Sequence, residues 1–176
     1  MNDPTVLVKT ELGGFLMEVS LNKAPITSAN FLRYVDEKLY DGTSFFRTVT
    51  EDNQPTPQQP TAVKILVIQG GQVDKAKEHP PIEHETTQKT SVRHVVGAVS
   101  MSRSKPGTAT SSFFICIRDE PELDFGGQRN ADGQGFSAFG RVVSGMDVVE
   151  RIHTQPKEGQ RLQPPIKILS ITRILT

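Results

Sequence analysis

The sequence predicts a mainly β protein: a closed, eight-stranded antiparallel β-barrel capped by two α-helices. About eight short segments are rich in β-branched and aromatic residues, and turn-forming glycines and prolines separate them. Two further segments have helical periodicity, and they lie towards the two ends of the chain instead of alternating with the strands. This arrangement favours a helix-capped barrel over a doubly wound α/β fold.

The chain opens with a predicted β-hairpin, because residues 5–10 and 15–21 are strand-like and two glycines lie between them. The last strand is expected at 166–175, where every second side chain from Ile166 through Ile168, Ser170 and Thr172 to Ile174 should share one face. The remaining strands are expected at residues 44–47, 65–69, 92–101, 112–117 and 136–143.

The two predicted helices are amphipathic. The first follows Pro25, has Thr27 or Ser28 as its N-cap candidate, and ends near Lys38. The second begins near Gly145. Each helix should cover one open end of the barrel with its apolar face. The residues of these faces are Ala29, Phe31, Leu32 and Val35 in the first helix and Met146, Val149 and Ile152 in the second.

The length and charge of the chain indicate one globular domain over residues 1–176. Its 20 Lys and Arg residues balance its 20 Asp and Glu residues, so no net field attracts nucleic acid or an anionic membrane. No apolar run approaches the length of a membrane span. The first residues lack the basic and apolar regions of a signal peptide, so we expect a cytoplasmic protein.

The sequence lacks the common motifs for cofactors and nucleophiles. The single Cys116 excludes an internal disulfide and a cysteine-based zinc site, and its apolar surroundings are typical of a buried structural residue. No P-loop, dinucleotide fingerprint or nucleophile elbow is present. His79 and His84 lack the spacing of metal ligands, and residues 130–134 lack that of a calcium loop. We therefore expect no metal and no cofactor.

Two polar residues interrupt strand-like apolar sequence. Arg47 directly follows two phenylalanines, and Gln69 ends the apolar run 65–68 just before two glycines. Burying an unpaired charge or amide is costly, so both side chains should lie at an edge or face a pocket. Residues 51–64 separate the two segments and contain three prolines, which cannot donate to a sheet ladder. This stretch predicts a solvated, proline-rich loop insertion.

Several short motifs in a fixed order together resemble the cyclophilins, the peptidyl-prolyl cis–trans isomerases of that family. The motifs lie at residues 45–47, 68–71, 99–101, 111–115, 123–124 and 136–142. The resemblance covers nearly the whole chain, and Met101-Ser102-Arg103 is similar to the bacterial branch. It implies an eight-stranded barrel with a helix at each end and a substrate cleft outside the barrel, whose interior is filled with side chains.

The resemblance also implies the site residues. Arg47 matches the family's catalytic arginine and Gln69 its cleft glutamine. A fixed guanidinium aimed at the prolyl nitrogen would stabilise the amide only when it is twisted, which is selective binding of the transition state. The implied substrate-binding residues are Phe46, Leu66, Val67, Ser102, Arg103, Ser112, Phe114, Leu123 and Phe136.

The chain departs from the family pattern around this pocket. Leu66 and Val67 replace a Phe-Met pair, which should make the pocket shallower or wider. Ser112 replaces a second glutamine, and Phe136 stands where animal members have a histidine. Glu122 stands where many members have the tryptophan that helps to bind cyclosporin, so weak cyclosporin binding is expected.

Three functional interpretations follow. The first is an active isomerase, a monomer acting on X-Pro bonds in unfolded or flexible polypeptides, with no nucleic-acid or membrane partner. The second is a module that binds proline-containing peptides with little catalysis, which the altered pocket would favour. In the third, the proline-rich insertion reaches the cleft as a self-ligand or partner arm.

Overall fold

The computed structural model describes residues 2–54 and 63–175. The third interpretation concerns the insertion, whose residues 55–62 lie outside the described residues. The elements in chain order are β1 (Thr5–Thr10), β2 (Gly13–Val19), α1 (Pro25–Asp36), β3 (Ser44–Val49), β4 (Val67–Gly70), α2 (Thr87–Thr90), β5 (Ala98–Met101), β6 (Phe113–Cys116), β7 (Ala138–Ser144), α3 (Met146–His153), β8 (Lys157–Glu158) and β9 (Arg161–Arg173). Short 3₁₀ turns occur at Lys75–Lys77 and Pro121–Leu123.

The strands form one closed antiparallel barrel. Their order is β1-β2-β7-β5-β6-β4-β3-β9, and pairing of β1 with β9 closes the ring. The two-residue strand β8 pairs with β9 as an addition to the eight barrel strands. The predicted helix-capped, eight-stranded barrel is therefore confirmed, with β8 and the short helix α2 as elements that were not predicted.

Aromatic side chains fill the barrel interior beneath α1. The ring of Phe31 on this helix lies 5.5 Å from Phe113, 4.9 Å from Phe139 and 5.3 Å from Tyr40, measured between ring centroids. All four rings are fully buried. Helix α3 packs against β2, β3 and β4. Because the interior is occupied by packed side chains, a substrate must bind outside the barrel.

A second apolar cluster lies on the outer face of β4, β6 and β5. Side chains alternate between the two faces of a strand, so Ile68 points to the barrel core and Val67 points outwards. Likewise Phe113 belongs to the core, whereas Phe114 joins the outer cluster. The members of this cluster are Val49, Ile65, Val67, Ala98, Phe114, Cys116 and Leu123, with Phe136 packed against them.

The start of α1 differs from the prediction. The N-cap is Ala24 and makes no side-chain hydrogen bond, so the N-cap prediction of Thr27 or Ser28 is wrong. The buried Glu85 carboxylate instead accepts hydrogen bonds from the backbone N–H groups of Ile26 and Thr27, at 3.2 and 2.7 Å. A negative charge suits the free N–H groups and the positive dipole end of a helix. A distant residue thus replaces the local cap.

Two strand predictions also need correction. The expected strand at 92–101 is reduced to β5, because the chain before it turns at Gly97 with φ +81° and leaves Val96 exposed. In β9, Leu169 has no partner between the pairs formed by Ile168 and Ser170 with β1. This β-bulge shifts the buried positions, so Ile171 faces the core where strict alternation had placed Ser170.

Within residues 2–54 and 63–175, no helix is both long and apolar enough to cross a membrane.

Candidate active site

Arg47 and Gln69 lie directly opposite each other on the neighbouring strands β3 and β4. The register shifts between Phe45 and Arg47, which indicates a β-bulge. Phe45 consequently points into the barrel core, while Phe46 and Arg47 both lie on the outside. Nη1 of Arg47 donates a hydrogen bond to Oε1 of Gln69 at 2.9 Å. The two polar residues singled out in the sequence are thus a cross-strand pair.

Further hydrogen bonds fix both side chains of this pair. Nε of Arg47 donates to Oε1 of Gln160 at 2.9 Å, so the guanidinium is held by two amide oxygens. Nε2 of Gln69 donates to Oγ of Ser112 at 3.0 Å, which leaves Oε1 of Gln69 turned towards Arg47. The result is a chain of hydrogen bonds from Ser112 through Gln69 and Arg47 to Gln160.

The Arg47 guanidinium is half-buried. Burial lowers its pKa from the usual value, and the positive charge of Arg129 lowers the pKa further. An arginine nevertheless remains protonated at neutral pH because its pKa starts so high. Within the described part of the chain, no carboxylate lies at salt-bridge distance from Arg47. The site therefore holds a fixed cation with amide partners only.

Beside the guanidinium lies a small pocket with an apolar floor. Its volume is about 140 Å³. The Phe114 and Phe136 rings meet edge to face with centroids 5.2 Å apart, and Leu123 is fully buried beneath the pocket surface. The residues that line the pocket are Arg47, Ile65, Val67, Gln69, Ser102, Arg103, Phe114, Leu123, Arg129 and Phe136. A fixed cation at the edge of an apolar pocket suits a ring-shaped apolar group attached to a polar bond.

Arg103 supports the wall of this pocket. Its guanidinium forms a bidentate ion pair with Asp132, at 2.9 and 3.0 Å, and donates to the carbonyl oxygen of Gly135. The guanidinium carbon lies 5.0 Å from the centroid of the Phe136 ring. Only 2% of the Arg103 side chain is exposed. Its charge is therefore neutralised by Asp132, and its position holds Phe136 in place.

A buried polar group lies behind the pocket floor. The His94 ring stacks on Phe114 with centroids 6.0 Å apart and an interplanar angle of 9°. Nδ1 of His94 donates to Oδ1 of Asp124 at 2.7 Å, since a carboxylate only accepts. Nε2 of His94 lies 2.9 Å from Oγ of the fully buried Ser100. Hydrogen bonds at both ring nitrogens fix the orientation of the ring and hence the surface against which Phe114 packs.

The two glycines after Gln69 are required by close packing. A Cβ atom on Gly71 would lie 2.4 Å from the Phe113 ring, and Gly71 has φ +74°. A Cβ atom on Gly70 would lie 2.7 Å from the Phe45 ring. Both distances are shorter than carbon atoms tolerate. Gly70 thus lets β4 lie close to β3, where Gln69 contacts Arg47, and Gly71 makes room for the Phe113 ring of β6.

The structure brings most of the sequence-predicted site residues together at this pocket, but three lie elsewhere. Phe46 lines a second cavity of about 350 Å³ on the other side of Arg47. Leu66 does not line the pocket, because strand alternation places Ile65 and Val67 there instead. Ser112 is buried behind Gln69 and contacts the site through that side chain.

Three residues at the site were missed by the sequence analysis. The position of Ile65 follows from the alternation with Val67 and could have been found from it. Arg129 lies in the long loop after β6, and Gln160 lies in the turn between β8 and β9. No local pattern distinguishes these two from other polar loop residues.

Comparison with known proteins identifies the family of the chain. Residues 5–173 match the family model for the cyclophilin type peptidyl-prolyl cis-trans isomerases. A peptidyl-prolyl cis-trans isomerase of Acinetobacter baylyi is 33% identical over an alignment of 176 residues. The alignment covers 94% of this chain and 83% of that protein. Peptidyl-prolyl cis-trans isomerase B of Escherichia coli is 31% identical over 152 residues, covering 84% of this chain and 82% of the relative.

A solved structure has the same fold. The crystal structure of a cyclophilin type peptidyl-prolyl cis-trans isomerase from Cryptosporidium parvum superimposes with a TM-score of 0.74 at 20% identity and covers 99% of both chains. A second crystal structure of that protein, in the presence of the dipeptide Ala-Pro, gives a TM-score of 0.70. The chain belongs to the cyclophilin-type peptidyl-prolyl cis-trans isomerases, a family of enzymes.

Proposed function

We propose that Arg47 catalyses cis–trans isomerisation of X-Pro bonds by stabilising the twisted amide, and that flexible or unfolded polypeptide segments are the substrates. The observation that carries this proposal is the guanidinium held by two amide oxygens, of Gln69 and Gln160, beside an apolar pocket. A fixed positive charge beside an apolar pocket can act on an X-Pro amide whose proline ring binds in that pocket.

The reaction needs no bond to be broken. Amide resonance opposes rotation with a barrier of about 18–20 kcal/mol. When the X-Pro bond twists, the prolyl nitrogen becomes pyramidal and gains a lone pair that can accept a hydrogen bond. A guanidinium N–H directed at that nitrogen binds the twisted state and not the planar one, so it lowers the barrier selectively. Because Gln69 and Gln160 fix Arg47 beforehand, little reorganisation is needed during the reaction.

The pocket accounts for recognition of proline. The pyrrolidine ring can pack on its floor of Phe114, Leu123 and Phe136. The pocket lies on the outer face of the barrel, so the rest of the peptide can extend along the protein surface. Flexible segments suit this arrangement because a surface cleft can bind an X-Pro bond only where the chain can extend across it. A dipeptide containing proline is present in one structure of the Cryptosporidium parvum relative, which supports the assignment of ligand class.

The test is Arg47→Ala in a refolding reaction limited by proline isomerisation. We expect kcat/KM to fall by about 100-fold or more, the usual effect of removing a preorganised donor. Arg141→Ala is the matched control, because Arg141 is an exposed arginine on β7 away from the pocket. Unchanged turnover in the Arg47 variant would refute the catalytic role.

A second experiment on the same variant separates the binding-module interpretation from the isomerase. NMR exchange spectroscopy on a short X-Pro peptide reports both binding and interconversion of its isomers. Binding without accelerated exchange by the unmodified protein would favour a module that holds proline peptides. Accelerated exchange that disappears in Arg47→Ala, with binding retained, would support catalysis by Arg47.

A further inference from the structure

Three arginines line the same small pocket, and two of them, Arg47 and Arg129, form no ion pair with a described residue. Besides Arg47, the half-buried Arg129 reaches it from the loop before β7. Nη1 of Arg129 donates to the carbonyl oxygen of Val63 at 2.8 Å. An arginine has five N–H donors, and no other side-chain hydrogen bond of Arg129 is formed within residues 2–54 and 63–175. Its remaining donors have no partner among the described residues, and the side chain lines the pocket.

Arg47 and Arg129 form no ion pair with an acidic side chain in the described part of the chain. The third arginine of the pocket, Arg103, differs because Asp132 neutralises it. The negative charge of Glu120 favours the charged form of Arg129 and so raises its pKa, but the Glu120 carboxylate accepts its hydrogen bonds from Leu66 N–H and from Arg118. Within residues 2–54 and 63–175, the pocket lining thus carries two arginines that form no ion pair, in a chain of zero net charge.

Burying the two cations side by side costs free energy. Burial lowers the pKa of Arg129, as it lowers that of Arg47, because both cations lose hydration. The positive charge of Arg129 also acts unfavourably on Arg47. The attraction of an anion entering the pocket would offset both costs, and it would act more strongly than at a fully exposed position because the surroundings are partly apolar.

We propose that the pocket selects proline segments in which a residue directly flanking the proline carries a carboxylate, and that Arg129 is the side chain that binds it. Charge complementarity is the basis for this choice of ligand. Arg47 is engaged on both sides by amides and is needed at the prolyl nitrogen, whereas Arg129 has donors to spare. The inference rests on the proposed function, since it assigns a preference to the same site.

The experiment uses acetylated and amidated peptides with a single proline. In one series the residue before proline is Glu, Gln or Lys, and in the other the residue after proline is varied in the same way. Affinity is measured by NMR titration and isomer exchange by exchange spectroscopy. In at least one series, we expect the Glu peptide to bind about five- to tenfold more tightly than the Gln peptide, and the Lys peptide to bind most weakly. This preference should shrink as salt is raised from about 20 mM to about 500 mM.

Variants assign the preference to Arg129. Arg129→Gln should remove the difference between Glu and Gln peptides, while Arg129→Lys should keep part of it because the charge remains. Arg141→Gln makes the same change of charge at an exposed position outside the pocket and should leave the preference intact. The salt dependence of the unmodified protein tests the inference even if an Arg129 variant folds poorly.

Two results would overturn the inference: equal affinity for Glu and Gln peptides in both series, or a preference that survives in a folded Arg129→Gln variant. Failure of the proposed function has a different signature, namely no accelerated exchange with any peptide. In that case the affinities alone still decide whether the pocket prefers a flanking carboxylate.

Discussion

Oε1 of Gln160 accepts a hydrogen bond from Nε of Arg47 at 2.9 Å, although 113 residues separate the two in the chain. Gln160 is brought there by the turn between β8 and β9, and its backbone carbonyl accepts from the N–H of Thr48 at 2.9 Å. Both the main chain and the side chain of Gln160 thus engage β3. The hydrogen bond from this side has the same length, 2.9 Å, as the one that Gln69 accepts on the other side.

We therefore predict that Gln160→Ala lowers kcat with little effect on KM. Gln160 lines the cavity on the far side of Arg47 and does not line the proposed proline pocket, so it should act on Arg47 and not on the substrate. Losing a hydrogen bond to a charged group, worth about 1.5–3 kcal/mol, should reduce kcat by a factor of about 10 to 150. Steady-state isomerase assays give both constants. Gln163→Ala, an exposed position on β9, is the control, and an unchanged kcat in Gln160→Ala would show that Gln69 alone suffices.

Glu85 should be a major contributor to stability. Its carboxylate accepts from the N–H groups of Ile26 and Thr27 and from the Thr27 hydroxyl, at 3.2, 2.7 and 2.6 Å. We predict that Glu85→Ala lowers the free energy of unfolding by about 1–3 kcal/mol, because buried donors at the start of α1 would lose their acceptor. Urea titration measures the change. The exposed neighbour Glu83 provides the control, and equal stability of the two alanine variants would contradict the capping role.

The barrel and the central polar pair could be predicted from the sequence because both leave local signals. Strand segments are marked by β-branched and aromatic residues, and Arg47 and Gln69 are conspicuous within apolar runs. The bulge at Phe46 places Arg47 opposite Gln69, and Gly70 allows the two strands to lie close together. Local pattern therefore identified the two residues, and the closed sheet brought them into contact.

Contacts between distant polar residues could not be predicted in this way. Glu85, Arg129 and Gln160 are polar residues in polar loops, where the sequence gives no sign of the partner. Local pattern was also misleading before β5, where Val95 and Val96 look like strand residues but are exposed by 46% and 53%. In each case tertiary contacts decide which conformation and which partners the segment adopts, because many local arrangements of a loop are similar in free energy.

Cys116 should be unreactive in the folded protein. Its side chain is fully buried in the outer apolar cluster, and burial raises the pKa of its thiol well above the usual value. Because the thiolate is the reactive form, we predict that Ellman's reagent labels the native protein at least about 100-fold more slowly than it labels the protein unfolded in urea. Fast stoichiometric labelling of the native protein would show that the cluster opens readily.

The last prediction concerns acid stability and Asp124. Burial by itself would raise the pKa of this carboxyl, but hydrogen bonds from the ring and backbone N–H of His94, at 2.7 and 2.9 Å, outweigh it and lower the pKa. A carboxyl whose pKa is lower in the folded state contributes stability above its unfolded pKa of about 3.9, and this contribution disappears as pH falls through the folded pKa.

Asp124→Asn should therefore be less stable than the unmodified protein near neutral pH, and the difference should narrow as pH falls below about 4. Urea titrations from pH 7 downwards give the free energy of unfolding of both proteins at each pH. Asp147→Asn, on the exposed face of α3, is the matched control, and its free energy of unfolding should differ much less from that of the unmodified protein. A stability difference that stays constant down to acid pH would mean that the charge of Asp124 does not contribute. If the difference does narrow, the ionised carboxylate stabilises His94 and the floor of the pocket beneath Phe114.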